Sequence, residues 1–335
     1  DKVNAIINCH LATGRIGRPG MGPFSVTGQP NAMGGREVGG LANMLAAHME
    51  IENPDHRDRV QRFWKSPKIA AKPGLKAVDL FQAVADGRIK ALWIMATNPV
   101  DSMPDAGAVE SALSACPFVV VSDIMAETDT IRHADVKLPS LGWGEKDGTV
   151  TNSERRISRQ RAFLPAPGMA RADWWQMAEV GKRMGHAAAF DFPNAASVMR
   201  EYAAQTAFEN NGTRDLNVGA LAAFEDAAYD EMAPFQWPRP ADDGSLTPDT
   251  RFFANGGFFT PDRLARFAAV APSRQVAGSS EYRFTLNTGR IRDHWHTMTR
   301  TAKSPRLSAH IAEPFAEIHP ADARALGIGE ADLVR

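Results

Sequence analysis

Cysteine is nearly absent: Cys9 and Cys116 are the only two. They lie far apart and neither belongs to a Cys-x-x-Cys pair. That excludes a disulfide scaffold, and any iron–sulfur or zinc cluster built from cysteines of these residues. Two such thiols suit a reducing compartment, and the chain reads as cytoplasmic. No apolar run is long enough to span a bilayer. The net charge of −1 removes bulk electrostatic attraction to nucleic acid. Gly-x-Gly-x-x-Gly, the Walker loop and any placeable Ser-His-Asp or Cys-His arrangement are missing, as are internal repeats and low-complexity tracts. No signal-peptide pattern opens the sequence. It begins at Asp1 without methionine and stops at Arg335 within a strand-like stretch, Ala331–Arg335, so it reads as an internal piece of a longer protein.

What remains is a globular composition, 44% apolar and 23% charged, over 335 residues, enough for two or three domains. Nine of the 27 glycines fall between Gly14 and Gly40, with Pro19, Pro23 and Pro30 among them. Glycine lets backbone approach a ligand closely or adopt positive φ. A single arginine, Arg36, stands in the open run Thr27–Gly40, which has the composition of an anion-handling surface.

Periodicity predicts an amphipathic helix carrying Val38, Leu41, Leu45 and Met49, then a polar surface excursion over 50–74 and a helix over Ala77–Asp86 ended by Gly87. An αβ rhythm follows: apolar strand candidates at Ala91–Ala96 and Phe118–Asp123, a helix over Gly107–Ala115 between them, and a short strand at Asp135–Pro139. That alternation points to a doubly wound, mostly parallel sheet. Helices are expected over Asp173–Met184, with Asp173 as N-cap, and Ala195–Ala207. Residues 209–250 read as loop-rich, with 235–240 as a linker. Beyond Tyr282, β-propensity predicts strands at Phe284–Asn287 and Phe315–Ile318, with a short helix over Pro320–Leu326.

Both main strands end in polar residues, Thr97-Asn98-Pro99 and Ser122-Asp123, where open α/β sheets bind ligands. An aspartate there can accept two hydrogen bonds from a ribose diol or a guanine edge, and an asparagine can both donate and accept; equally, these residues can close the strands as Asx-turns. In the charged run Glu145–Arg156, Lys146 can neutralise a phosphate and Asn152 orient a polar ligand. The alternative is a solvated hairpin turning at Asp147-Gly148. In Thr288–Thr297, His294 and His296 are two apart and would share one face of a strand. With Trp295 and the arginines they suit an anionic aromatic ligand, or an interdomain packing strand.

These blocks closely resemble the molybdopterin oxidoreductases. The resemblance runs through Leu11–Gly40, Ala96–Pro104, Val121–Asp123, Trp143–Arg156 and Thr288–Arg300, in family order. Within the family it is most similar to the assimilatory nitrate reductases. It implies a molybdenum bis-molybdopterin guanine dinucleotide. Positions matching Asn98, Ser122, Asp123, Lys146 and Asp173 would contact a guanine dinucleotide. Thr288, Gly289, Arg290, His294, Trp295, His296 and Thr297 would lie against the pterin portion, and Arg36 near the substrate funnel. It further implies nitrate as substrate, reduced to nitrite. Electrons would come from ferredoxin, flavodoxin or a NAD(P)H-dependent reductase, through a [4Fe-4S] cluster whose cysteine motif is not in these residues. Nothing here matches the family's cysteine ligand to molybdenum, so neither cysteine is assigned to metal. The same resemblance implies an α/β cofactor-binding region over 1–170, a helical connecting region over 171–278, and the start of a β-barrel domain from 279. The isolated piece is expected to be inactive. Rival readings are a formate dehydrogenase, a periplasmic nitrate reductase, or a non-catalytic relative such as the iron–sulfur subunit of complex I.

Overall fold

A computed structural model describes residues 2–241, 251–271, 281–298 and 301–334. The chain divides into two units, Asp1–Val100 with Gly107–Ser273, and Asp101–Ala106 with Arg274–Arg335. In order, its helices and strands are α1 (Lys2–Ala12), α2 (Ala32–Glu37), β1 (Met44–Leu45), β2 (Met49–Glu50), α3 (Pro54–Trp64), α4 (Ala77–Ala85), β3 (Leu92–Met95), α5 (Pro99–Ser102), α6 (Ala106–Ala115), β4 (Val119–Asp123), β5 (Val136–Pro139), β6 (Gly148–Thr151), β7 (Arg156–Gln160), α7 (Asp173–Gly181), α8 (Ala195–Ala207), α9 (Asp226–Asp230), β8 (Phe235–Gln236), α10 (Pro305–Ser308) and α11 (Pro320–Leu326).

The fold is mixed α/β. Strands β3, β4 and β5 form a parallel sheet in that order, with α6 as the crossover from β3 to β4. Because the three strands run the same way, their carboxyl ends share one edge. The remaining strands are antiparallel: the small hairpin β1–β2, and the sheet β6–β7–β8. "Mostly parallel" is therefore corrected to a mixture of one parallel and two antiparallel sheets among the described residues, where no barrel closes. The main core lies between the antiparallel elements and α8, where Met49, Val60, Ile157, Ala203, Leu216, Val218 and Trp237 are buried together. Each large apolar side chain so buried contributes roughly 2 kcal/mol.

Several predicted elements appear where expected. Helix α8 is capped by Asn194, whose Oδ1 accepts from the Ser197 amide at 2.9 Å. Gly327 ends α11 at φ +70°, and Gly87 follows α4 at the same φ.

Others are corrected. Residues 38–49 are not a helix: Gly39 adopts φ +81°, and the chain turns into the β1–β2 hairpin, burying Leu45 and Met49 while Val38 and Leu41 stay exposed. Their four-residue spacing is coincidental. The polar excursion holds α3, with Pro54 at its first position and Asn53 Oδ1 accepting from the Asp55 and His56 amides. Asp173 is the first helical residue of α7 rather than its cap, which is Ala172. Phe235-Gln236, read as linker, pairs with β7. The strands expected at 284–287, 315–318 and 331–334 are not formed. A β-prone segment becomes a strand only by pairing, and among the described residues none of them finds a partner. Arg300, Arg335 and the proposed boundary at 278/279 lie outside the described residues.

Candidate functional site

The parallel sheet carries the first group of candidate residues. Asn98 follows β3, and its Oδ1 accepts from the Thr130 hydroxyl at 2.6 Å and the Thr130 amide at 3.2 Å. Asp123 ends β4. Its Oδ1 accepts from the Met125 amide at 3.0 Å, an Asx-turn that closes the strand. Ser122 behaves differently. It is fully buried, and its hydroxyl accepts from Trp93 Nε1 at 2.8 Å and donates to Gln176 Oε1 at 2.7 Å. Those bonds occupy its side chain inside the protein.

Gln176, which sequence reasoning did not single out, explains how α7 reaches this edge. Its Nε2 donates to Pro139 O at 3.1 Å, and to Ser140 Oγ and Arg171 O at 3.2 Å each. The amide thus staples α7 to the carboxyl ends of β4 and β5. A β-bridge between Ser140 and Arg171 extends the same junction. A buried glutamine on a helix has no local pattern that would announce it.

The staple sets Asp173, at the amino end of α7, beside Lys146, which immediately precedes the β6–β7 hairpin. Lys146 Nζ lies 3.0 Å from Asp173 Oδ2, with both side chains 30% exposed. Asp173 Oδ1 is buried and, among the described residues, has no hydrogen-bond partner. A buried carboxylate oxygen without a donor is costly unless something supplies one. A guanine edge, with its N1–H and N2–H donors, is chemically suited to it, and the adjacent ammonium to a phosphate or to holding the aspartate ionised. These residues therefore fit the dinucleotide that the family resemblance implies. Asn152 does not join them: its Oδ1 accepts from the Glu154 and Arg156 amides at 2.9 and 3.0 Å, forming the hairpin turn one strand away from the predicted Asp147-Gly148 position.

Arg36 sits at the carboxyl end of α2, exposed, and makes no ion pair among the described residues. Its helix closes on the β6–β7 hairpin through Asn31, whose Oδ1 accepts from the Thr151 amide at 2.9 Å. A Cβ at Gly34 would lie 2.1 Å from that oxygen, so a larger residue there would push the Asn31 side chain off its bond to Thr151.

Residues Thr288–Thr297 belong to the second unit and are described by themselves. Thr288, Gly289 and Arg290 are exposed and irregular. His294 and His296 are not on a strand: His296–Met298 is a helical turn with Thr297 at φ +51°. Their shared strand face is thereby corrected, since the alternation of side chains needs an extended strand and none forms over these residues. His294 Nδ1 lies 2.9 Å from Thr301 Oγ1, and the Trp295 and His296 rings meet edge to face at 4.7 Å. Among the described residues no three His, Cys, Asp or Glu side chains cluster as metal ligands, and no helix is long and apolar enough to cross a membrane.

Comparison with known proteins bears on these sites. Residues 1–183 match the molybdopterin oxidoreductase family model, and 284–335 match the "Molydopterin dinucleotide binding domain" model. A nitrate reductase of Klebsiella oxytoca is 52% identical over all of this chain, which covers 38% of that protein. The assimilatory nitrate reductase catalytic subunit of Bacillus subtilis is 31% identical over 99% of the chain and 46% of its own length. The alpha subunit of an F420-dependent formate dehydrogenase from Methanococcus maripaludis is 33% identical over all of the chain and 47% of its own length. The chain thus spans less than half the length of these relatives. In structure, acetylene hydratase from Pelobacter acetylenicus superposes with a TM-score of 0.55 at 18% identity, over 76% of this chain and 35% of that one, which speaks to the fold alone. With a family model covering more than half its length, the chain belongs to the molybdopterin oxidoreductase family.

Proposed function

We propose that this chain is the cofactor-binding part of a nitrate reductase of the assimilatory type, active in the cytoplasm. The observation that carries the reading is the Lys146–Asp173 pair with its unpartnered Asp173 Oδ1, at the carboxyl edge of the parallel sheet in a chain of this family. Asn98, Asp123, Lys146 and Asp173 would hold one guanine dinucleotide by its edge and phosphates. Ser122 supports that edge through Gln176. Thr288–Thr297 would lie against the pterin portion, in the segment that begins the dinucleotide-binding barrel. When bound, molybdenum bis-molybdopterin guanine dinucleotide supplies two-electron oxygen-atom transfer, converting nitrate to nitrite.

The chain's own contribution is binding and charge. Arg36, exposed among glycines, steers and orients the nitrate anion. The electron donor would be ferredoxin, flavodoxin or a NAD(P)H-dependent reductase, and a [4Fe-4S] cluster held outside these residues would supply the one-electron transfer chemistry. The proposed regions are 1–170 for the α/β part, 171–278 for the connection and 279 onward for the barrel, and the isolated piece is inactive.

The test uses the intact protein carrying this chain: molybdenum content together with viologen-driven nitrate reduction. Molybdenum with nitrite formation supports the reading. Molybdenum with formate oxidation and no nitrite turns it to the second reading, favoured by the 33% identical formate dehydrogenase subunit. No molybdenum in a cofactor-competent host defeats both. The steering role is read separately: Arg36→Ala should raise KM for nitrate about tenfold, and an unchanged KM and kcat would remove it.

A further inference from the structure

Beside the exposed Arg36 sits a buried acid. Glu37 is 2% exposed, and both carboxylate oxygens are engaged: Oε1 accepts from Trp237 Nε1 at 2.7 Å and Oε2 from Thr151 Oγ1 at 2.8 Å. Its backbone carbonyl accepts from the Ala47 amide at 2.7 Å and the Tyr202 hydroxyl at 3.3 Å. One residue of α2 is thereby tied to β6, to the residue after β8, to the β1–β2 hairpin and to α8.

The rest of α2 holds itself poorly. It is six residues long, contains Gly34-Gly35, and has no side-chain cap bond. Glycines in so short a helix leave it near the coil limit. Apolar packing does not compensate on its inner side, where a cavity of ≈ 180 Å³ opens, lined by Asn31, Gly34, Glu37, Thr151, Met199 and Tyr202 among others. What fixes the direction in which the last turn points is therefore a set of hydrogen bonds converging on Glu37.

We propose that Glu37 is a positioning residue that fastens α2 so that the Arg36 guanidinium stays directed at the substrate anion. The inference rests on the steering role given to Arg36 above. Glu37 touches neither substrate nor cofactor; it acts through its neighbour. Its role is one of geometry rather than charge: in an amide of the same shape the oxygen can still accept from Trp237 Nε1, while the Thr151 hydroxyl rotates to accept from the NH₂.

The test compares Glu37→Ala, Glu37→Gln and Thr151→Val in the intact protein. Backbone amide exchange over residues 38–47 reads the anchoring directly: Glu37→Ala should speed it about tenfold, and Trp237 fluorescence, identified by difference against Trp237→Phe, should shift. In turnover, Glu37→Ala should raise KM for nitrate about tenfold with kcat within about twofold, and Thr151→Val about threefold. Glu37→Gln should restore both readouts. If Glu37→Ala fails to fold, Thr151→Val and Glu37→Gln carry the comparison. Unchanged exchange and KM in the variants that fold would overturn the proposal. So would a Glu37→Gln variant as impaired as Glu37→Ala, which would assign the effect to charge. If Arg36→Ala itself leaves KM unchanged, the steering reading fails and this inference fails with it; amide exchange still shows whether Glu37 anchors the helix. If Arg36→Ala raises KM while Glu37→Ala does not, the steering reading stands and this one falls.

Discussion

Replacing Gln176 with leucine should destabilise the protein by an amount that a second substitution gives back. Gln176 is 5% exposed, and its Oε1 is the acceptor for the fully buried Ser122 hydroxyl. Leucine fills a similar volume but leaves that hydroxyl without an acceptor. The carbonyls that Gln176 also serves suffer less. Pro139 O keeps the Arg171 amide at 3.0 Å, and Arg171 O keeps the Leu141 amide at 3.2 Å. The cost is thus dominated by one orphaned buried donor, about 1–3 kcal/mol, with about 1 kcal/mol more for the lost neutral bonds. At about 2 °C per kcal/mol for a chain this long, Tm should fall by about 6 °C. Adding Ser122→Ala removes the orphan, and Trp93, only half-buried, can turn to water. The double variant should recover, giving a coupling of at least about 1 kcal/mol. The assay is denaturant unfolding of the four members of the cycle. Additive losses would refute the claim that Gln176 acts by satisfying Ser122.

Two further outcomes follow from the same geometry. Gly34→Ala brings a Cβ to 2.1 Å from Asn31 Oδ1; it should break the Asn31–Thr151 bond and cost about 1–3 kcal/mol in unfolding free energy, and a neutral result would mean that α2 is not held this way. His48 lies 3.3 Å from Asp215. Burial alone would lower the His48 pKa, but the hydrogen bond and charge of Asp215, with the charge of Glu37, raise it above the ordinary histidine value. Burial likewise opposes ionisation of Asp215, and the histidine's hydrogen bond and charge still bring it below its usual range. A raised histidine stabilises below its unfolded pKa, and the gain is lost as pH rises through the folded value. His48→Gln should therefore cost about 1 kcal/mol at pH 6, with the difference from wild type shrinking toward pH 9. A difference that grows with pH would contradict the pairing.

Much of the α/β rhythm was legible, and for a local reason. Strands β3 and β4 are short apolar runs bounded by turns, β5 is a shorter Val-Lys-Leu-Pro stretch, and α8 and α11 carry their own cap and stop residues. Failures cluster where tertiary contacts decide. Leu45 and Met49 are buried by a hairpin that glycine and positive-φ residues impose, and the period-four pattern could not see it. Helix α3 was marked by Asn53 and Pro54, but its polarity disguised it. The β-prone segments after Tyr282 stay irregular because propensity does not make a strand without a neighbour. At the site, strand-end polarity pointed to Asn98, Ser122 and Asp123, the charged and glycine-rich runs to Lys146 and Arg36, and family resemblance to Asp173. The residues that hold these in place, Gln176, Thr130 and Glu37, were not legible. Each acts through a long-range hydrogen bond that leaves no mark on its own neighbourhood in the sequence.

The most direct test of the central claim is the guanine nucleotide and molybdenum content of the purified intact protein, wild type against Asp173→Asn. The amide keeps the size of the side chain but places an N–H₂ or an uncharged oxygen where a carboxylate oxygen lacks a donor. Loss of one charge-assisted contact predicts a retained cofactor fraction lower by tenfold or more under dilution, roughly 1.5–3 kcal/mol, with thermal stability of the apoprotein little changed. Equal cofactor content in the two proteins, or none in wild type, would contradict the assignment of this sheet edge to the dinucleotide.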